Sequence, residues 1–230
     1  MRLRVSALVA ASLLIASVSI AQTATVPYDH VHLAAPDQAK AVEWYQKNFG
    51  GETSPEGKDR LFYGKTRFIW LKSETAKPSA DATIDHIAFS VADKTPGFTT
   101  DPWGVRIEVV NDVAHRGFHH IHLNAPDPAA SLAWYQQRFG GERVKYKGEN
   151  GLKYGDVLVL IEKSKAAPAP SVGRALDHLG WRVADLDKTL ADLKGITIMQ
   201  GPTELQLATG KVHYSFVVDP VGTKIELVQR

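Results

Sequence analysis

The 230-residue chain has no cysteine, so neither a disulfide nor a cysteine-linked lipid anchor can form, and packing alone must hold the fold. It also lacks a surplus of either charge. Lys+Arg number 27 and Asp+Glu 25; residues 1–21 carry Arg2, Arg4 and no acid, so 27 less two leaves 25 against 25 in the remainder. A nucleic-acid binder needs excess cations to displace counterions from phosphates, and this composition argues against one. Long apolar runs are missing too. The run Val5 to Val18 falls short of the roughly 20 residues that span a bilayer. Its flanks, Arg2 and Arg4 before it and Ser19-Ile20-Ala21 after it, are those of a cleavable export signal. Residues 1–21 are therefore read as a signal peptide and the mature protein as periplasmic or secreted, with no membrane-embedded part.

What is present is a duplication. Tyr28 to Glu52 and Phe118 to Glu142 align at a constant offset of 90 with 14 of 25 positions identical, including His30/His120, His32/His122, Asp37/Asp127, Trp44/Trp134 and Phe49/Phe139. Each copy opens with the polar/apolar alternation of a half-buried strand, His30-Val31-His32-Leu33 and His120-Ile121-His122-Leu123. A helix follows, capped by Asp37 or Asp127, with Pro128 in the first turn of the second copy and Gly50 or Gly140 at the C-terminal end. Trp44, Tyr45, Phe49 and their counterparts follow helical spacing and are read as core.

Each copy has a second half. Asp85-His86-Ile87-Ala88 and Asp177-His178-Leu179-Gly180 restart the strand pattern, and in all four modules a histidine stands seven residues before an aspartate: His30/Asp37, His86/Asp93, His120/Asp127 and His178/Asp185. Arg60 to Lys72 and Lys153 to Lys163 read as strands around turns. The Ala/Pro/Ser stretches after them read as exposed connectors. Both second halves close with a turn and strand, Asp101-Pro102-Trp103-Gly104 into Val105–Val110 and Asp219-Pro220-Val221-Gly222 into Thr223–Val228. The second module is short: Asp185 to Phe216 spans 31 positions and Asp93 to Phe98 only 5, so 26 residues, a helix and a strand, are missing from it. The expected architecture is α+β, with a first domain at 28–111 and a complete second domain at 118–229. The sheet bared by the missing piece would be covered by the other domain or by a second chain, the latter giving a homodimer through the shortened first domain.

Strand parity sends Leu179, Trp181, Val183, Ile225 and Leu227 to one face and His178, Arg182, Lys224 and Glu226 to the other. The apolar face must meet the helices. The opposite face then carries His120, His178 and Glu226, two imidazoles and a carboxylate suited to a divalent transition metal with open positions.

The His-x6-Asp strand–helix openings and the closing D-P-x-G-x-x-I-E strand resemble the vicinal oxygen chelate superfamily of glyoxalases, extradiol dioxygenases and bleomycin-resistance proteins, over residues 28–229. That resemblance implies tandem βαβββ modules paired into cup-shaped sheets, with a metal held between first and last strands. Carried residue by residue, it implies ligands His120, His178 and Glu226 in domain two and, as a weaker set, His30, His86 and Glu108 in domain one. Glu162 stands near the place of a fourth ligand, and Glu162 or Glu226 would serve as catalytic base. His122 and Arg182 are candidate substrate contacts, Arg182 for an anionic group; His115 and His119 are read as linker or surface. The cofactor would be Fe, Mn, Ni, Co or Zn. The implied function is a metal-dependent lyase or isomerase acting on a small molecule with vicinal oxygens. The alternatives are an extradiol-type dioxygenase, with Phe216 where that pattern expects tyrosine, and a non-catalytic drug-binding protein.

Overall fold

The structure, a computed structural model, describes residues 24–207 and 209–230; the predicted signal peptide lies outside them. Strand β1 (Tyr28–Ala35) leads into helix α1 (Gln38–Phe49), then β2 (Glu52–Thr53), β3 (Arg60–Tyr63) and β4 (Thr66–Lys72). The second module is β5 (Ile84–Ser90), β6 (Gly97–Thr100) and β7 (Arg106–Val110), without a helix. The third is β8 (Gly117–Ala125), α2 (Pro128–Phe139), β9 (Glu142–Tyr146), β10 (Glu149–Tyr154) and β11 (Val157–Lys163). The fourth is β12 (Leu176–Arg182), α3 (Leu186–Asp192), β13 (Thr197–Leu207), β14 (Gly210–Val218) and β15 (Lys224–Gln229). Among the described residues no helix is long and apolar enough to cross a membrane.

The caps fall where the sequence puts them. Asp37 accepts the Lys40 N–H at 3.1 Å and Asp127 that of Ala130 at 3.0 Å, each satisfying an N–H that the first helical turn leaves without a backbone partner. Gly50 and Gly140 end the two helices at φ 74° and 68°, in the region a side chain disfavours.

The sheets do not follow the repeats. One sheet has the order β13-β14-β15-β12-β1-β4-β3-β2 and the other β6-β7-β5-β8-β11-β10-β9. The first module therefore shares a sheet with the fourth through antiparallel β1 and β12, and the second with the third through β5 and β8. The connectors also cross between halves: Lys77 bridges Arg174, and Ala82 bridges Ala169.

The helices α1 and α2, by contrast, pack within their own repeats, over a core that runs through both. Phe49 of α1 stacks on Phe89 of β5 with centroids 4.4 Å apart, and Phe139 of α2 stacks on Trp181 of β12 at 4.7 Å, both pairs at 15°. Tyr45 and Tyr135 donate to the turn carboxylates Asp101 and Asp219, each at 2.9 Å. Asp219 also accepts the N–H groups of Val221, Gly222 and Thr223. That lock sets where β15 begins, and the equivalent turn at Asp101 does so for β7. Val31, Leu33, Ile87, Ile121, Leu179 and Ile225 are buried on the face turned to this core. The histidine-bearing faces are left to form two cups.

Candidate functional site

Each site histidine is aimed by the residue before it. Along a regular strand that residue would face the other way. Here the pairing of β1 with β12 and of β5 with β8 slips at four places, and the extra residues are Asp29, Asp177, Asp85 and His119. A bulge lets a side chain turn back toward its neighbour. Asp29 lies 2.8 Å from His30 Nδ1, Asp85 2.7 Å from His86 Nδ1, and Asp177 2.6 Å from His178 Nδ1. None of the four was singled out from the sequence as a functional residue, although Asp-His recurs in three of the four modules and could have flagged them.

In the cup of the first and fourth modules, Glu226 Oε2 lies 3.2 Å from His30 Nε2, 3.1 Å from His178 Nε2 and 3.8 Å from His32 Nε2. His32 stacks on His178 at 4.2 Å. Burial alone would raise the pKa of Glu226, but His30 and His178 outweigh it and hold the carboxyl well below the usual range. Burial pulls His30 down, yet the flanking Glu226 and Asp29 carboxylates leave it raised. Gly180 sits directly under the His30 ring, where a methyl group would overlap the ring atoms. Gly180→Ala should therefore push His30 aside and cost about 1–3 kcal/mol by overpacking. It should abolish metal uptake at this cup alone, as metal analysis and a denaturation curve would show.

In the cup of the second and third modules, Glu108 Oε2 lies 3.2 Å from His120 Nε2 and 3.6 Å from His86 Nε2. Neither nitrogen makes a hydrogen bond, nor does either nitrogen of the buried His122. A cavity of about 670 Å³ opens over these side chains, lined also by Phe98, Tyr146, Glu149 and Glu162. Across it, His122 Nε2 is 3.6 Å from Glu149 and 3.9 Å from Glu162. Burial, with His86 beside them, pushes His120 down to about 4 and His122 down to about 3, so both are neutral near pH 7. Burial and the neighbouring Glu162 raise Glu149.

The expected ligand sets need regrouping. His120 does not meet His178 and Glu226, nor does His30 meet His86 and Glu108: the strand pairs β1–β12 and β5–β8 cross the repeats, so the sets are His30/His178/Glu226 and His86/His120/Glu108. Glu162 is not among the latter. On β11 the residue beside His120 is Leu158, and Glu162 lies four pairs further on, beside Asn124. It shares no site with Glu226, which is in the other sheet. Arg182 clasps Asp29 at 2.6 Å, so its guanidinium is paired with a carboxylate of the protein. His119, expected at the surface, is 1% exposed.

The residues fit a divalent cation by a count of protons. A neutral imidazole whose Nδ1–H donates to Asp177 turns its Nε2 lone pair on Glu226, and His30 and His86 are placed the same way between two carboxylates. One proton serves two contacts, so a lone pair faces an anion unless the ring is protonated or a cation sits between them. The donor atoms of His30, His32, His178 and Glu226 all lie within 4.8 Å of one another, as do those of His86, His120 and His122. Imidazole and carboxylate donors in this number suit a first-row divalent metal.

Comparison with curated proteins gives no match. Among solved structures, glyoxalase I from Zea mays is similar over 89% of this chain and 92% of its own, at 17% identity and a TM-score of 0.66. A Bacillus subtilis protein solved as a candidate dioxygenase is similar over 89% and 85%, at 15% identity and a TM-score of 0.54. At such identities the likeness is one of fold. A family model, the Glyoxalase/Bleomycin resistance protein/Dioxygenase superfamily, matches residues 117–227, the third and fourth modules of this chain.

Proposed function

We propose that the protein is an exported, divalent-metal-dependent lyase or isomerase whose reaction takes place in the cup of the second and third modules. The observation that carries this reading is the cavity of about 670 Å³, within the range of small-molecule sites, lined by His86, His120, Glu108 and the Glu149–Glu162 pair. His86, His120 and Glu108 would hold the metal, and Fe, Mn, Ni, Co and Zn all accept such a set. When bound, the metal supplies a Lewis acid for two neighbouring substrate oxygens.

The chain's own residues supply the proton acceptor. Glu149 and Glu162 repel each other's charge across His122, and the raised pKa of Glu149 makes it a better base than an ordinary carboxylate. Phe98 and Tyr146 give the cavity apolar walls against which a small molecule can be fixed. Export, read from residues 1–21, makes thiol adducts scarce and favours an epimerisable oxygenated acid as substrate. The test is exchange of a substrate C–H proton in deuterated water. Glu149→Gln and Glu162→Gln together should lower that exchange by roughly 100-fold or more without loss of bound metal. Exchange that is unchanged in the double variant overturns the assignment.

One observation favours a second reading, a ring-cleaving dioxygenase. With Leu158 beside His120, the set His86, His120 and Glu108 is two imidazoles and one carboxylate, that of non-haem iron oxygenases, with His122 as a further imidazole close to the two histidines. Against it, Phe98 and Phe216 both stand where a tyrosine is expected, three residues before the turn aspartates. Oxygen uptake with a catechol would put this reading first. Protein purified without metal and indifferent to chelators would leave non-catalytic binding.

A further inference from the structure

Three modules place a carboxylate behind the site histidine, and the third places an imidazole there. His119 is the extra residue of its bulge, as Asp29, Asp85 and Asp177 are of theirs, and its Nδ1 lies 2.9 Å from His120 Nδ1. Behind it, His119 Nε2 lies 3.3 Å from Asp112 Oδ2, in the loop before β8. The carboxylate has been moved one imidazole further out.

We infer that His119 is a positioning residue. With Asp112 it fixes His120 in the tautomer whose Nε2 lone pair faces the cavity, and so prepares that nitrogen as a ligand. This rests on the reading of His120 as a metal ligand.

The chain Asp112, His119, His120, Glu108 has three contacts. Two neutral imidazoles bring two ring protons. Geometry shows which contact goes without: His119 Nε2 and Asp112 are aligned as a hydrogen bond, whereas His120 Nε2, though 3.2 Å from Glu108, makes none. Asp112 therefore accepts from His119 Nε2–H. His119 Nδ1 is left as a lone pair and accepts from His120 Nδ1–H, and the remaining lone pair is His120 Nε2. Were the order reversed, the His119 Nε2 lone pair would face the Asp112 carboxylate.

Alternative roles are weaker. Asp112, His115 and His119 lie close enough to hold a cation themselves, but both imidazole contacts run to the one oxygen, Asp112 Oδ2, and need no ion. The ring of Tyr146, 4.7 Å from that of His119, contributes packing.

Protein labelled with 15N-histidine tests the inference by nuclear magnetic resonance at a single pH. The expected signature is a scalar coupling through the N–H···N bond joining the two Nδ1 atoms, with the proton on His120. Zn²⁺ titration, followed at the ring nitrogens of His120, should move its Nε2. His119→Leu should weaken Zn²⁺ at this site by roughly 10–100-fold while the His178 resonances titrate as before, which also reports an intact fold. His119→Asp, which restores the dipeptide of the other modules, should recover most of the loss. Asp112→Ala, in the loop, should shift the proton away from His119 Nε2. A proton found on His119 Nδ1, or wild-type Zn²⁺ affinity in His119→Leu, overturns the inference. The coupling seen without any response of His120 to Zn²⁺ supports the tautomer and sinks the metal reading instead.

Discussion

Replacing His178 with alanine should remove one metal equivalent and leave another in place, and replacing His86 should do the converse, with His178→Ala/His86→Ala losing both. The expectation follows from the sheets. His178 shares Glu226 with His30, 48 and 196 residues from that glutamate, whereas His86 shares Glu108 with His120 in the other sheet. Each deletion strips one cup of an imidazole and leaves a carboxylate pair, Asp177 and Glu226 or Asp85 and Glu108, facing an empty place. Loss of a ligand should weaken that site by several orders of magnitude and leave the other within a few-fold, because the sites share no residue. Metal quantification after dialysis, read beside His30→Ala and His120→Ala as partners of the two sets, decides it. A ligand set grouped by repeat would instead make His120→Ala and His178→Ala empty the same site.

Asp29→Ala should be the most destabilising single change at the cups, by about 3–5 kcal/mol, the range for stripping one partner from a buried ion-pair network. The Asp29 carboxylate is fully buried and receives Arg230 at 2.6 Å, Arg182 at 2.6 Å, Arg67 at 3.2 Å and His30 at 2.8 Å. Burial would raise its pKa, but His30, Arg230 and Arg67 outweigh this and hold it far below the usual carboxylate value. A depressed folded-state pKa stabilises above the unfolded value, about 3.9, and that contribution fades as pH falls through and below it. The gap between Asp29→Ala and wild type in denaturant midpoint should therefore be full at pH 7 and shrink in acid. An equal gap at both pH values would show that packing, not charge, holds the network together. Through Arg230 the segment after β15 is tied to β1.

The site was half legible. His120, His178 and Glu226 could be named because strand parity separates them from the apolar face, and His30, His86 and Glu108 were added by the family resemblance. Which of them meet was not legible, since parity fixes a face and says nothing of which strand lies alongside. The Asp29, Asp85, Asp177 and His119 supports were hidden for a different reason. Period-two alternation assigns each to the opposite face, and only a bulge, which leaves no periodic trace, brings it back. Glu149, whose raised pKa arises from burial beside Glu162, could not be found before β10 and β11 were seen side by side.

By itself the sequence determined the modules. Local alternation, the Asp caps, the glycine ends and the aromatic spacing of α1 and α2 act over a few residues, and the duplication supplied each reading twice. Only the tertiary structure decided the sites. Strand pairing is made by backbone groups that are the same in every residue, so β1 can take β12, and β5 can take β8, without any side-chain pattern announcing the choice; from that pairing alone come the two histidine–glutamate cups.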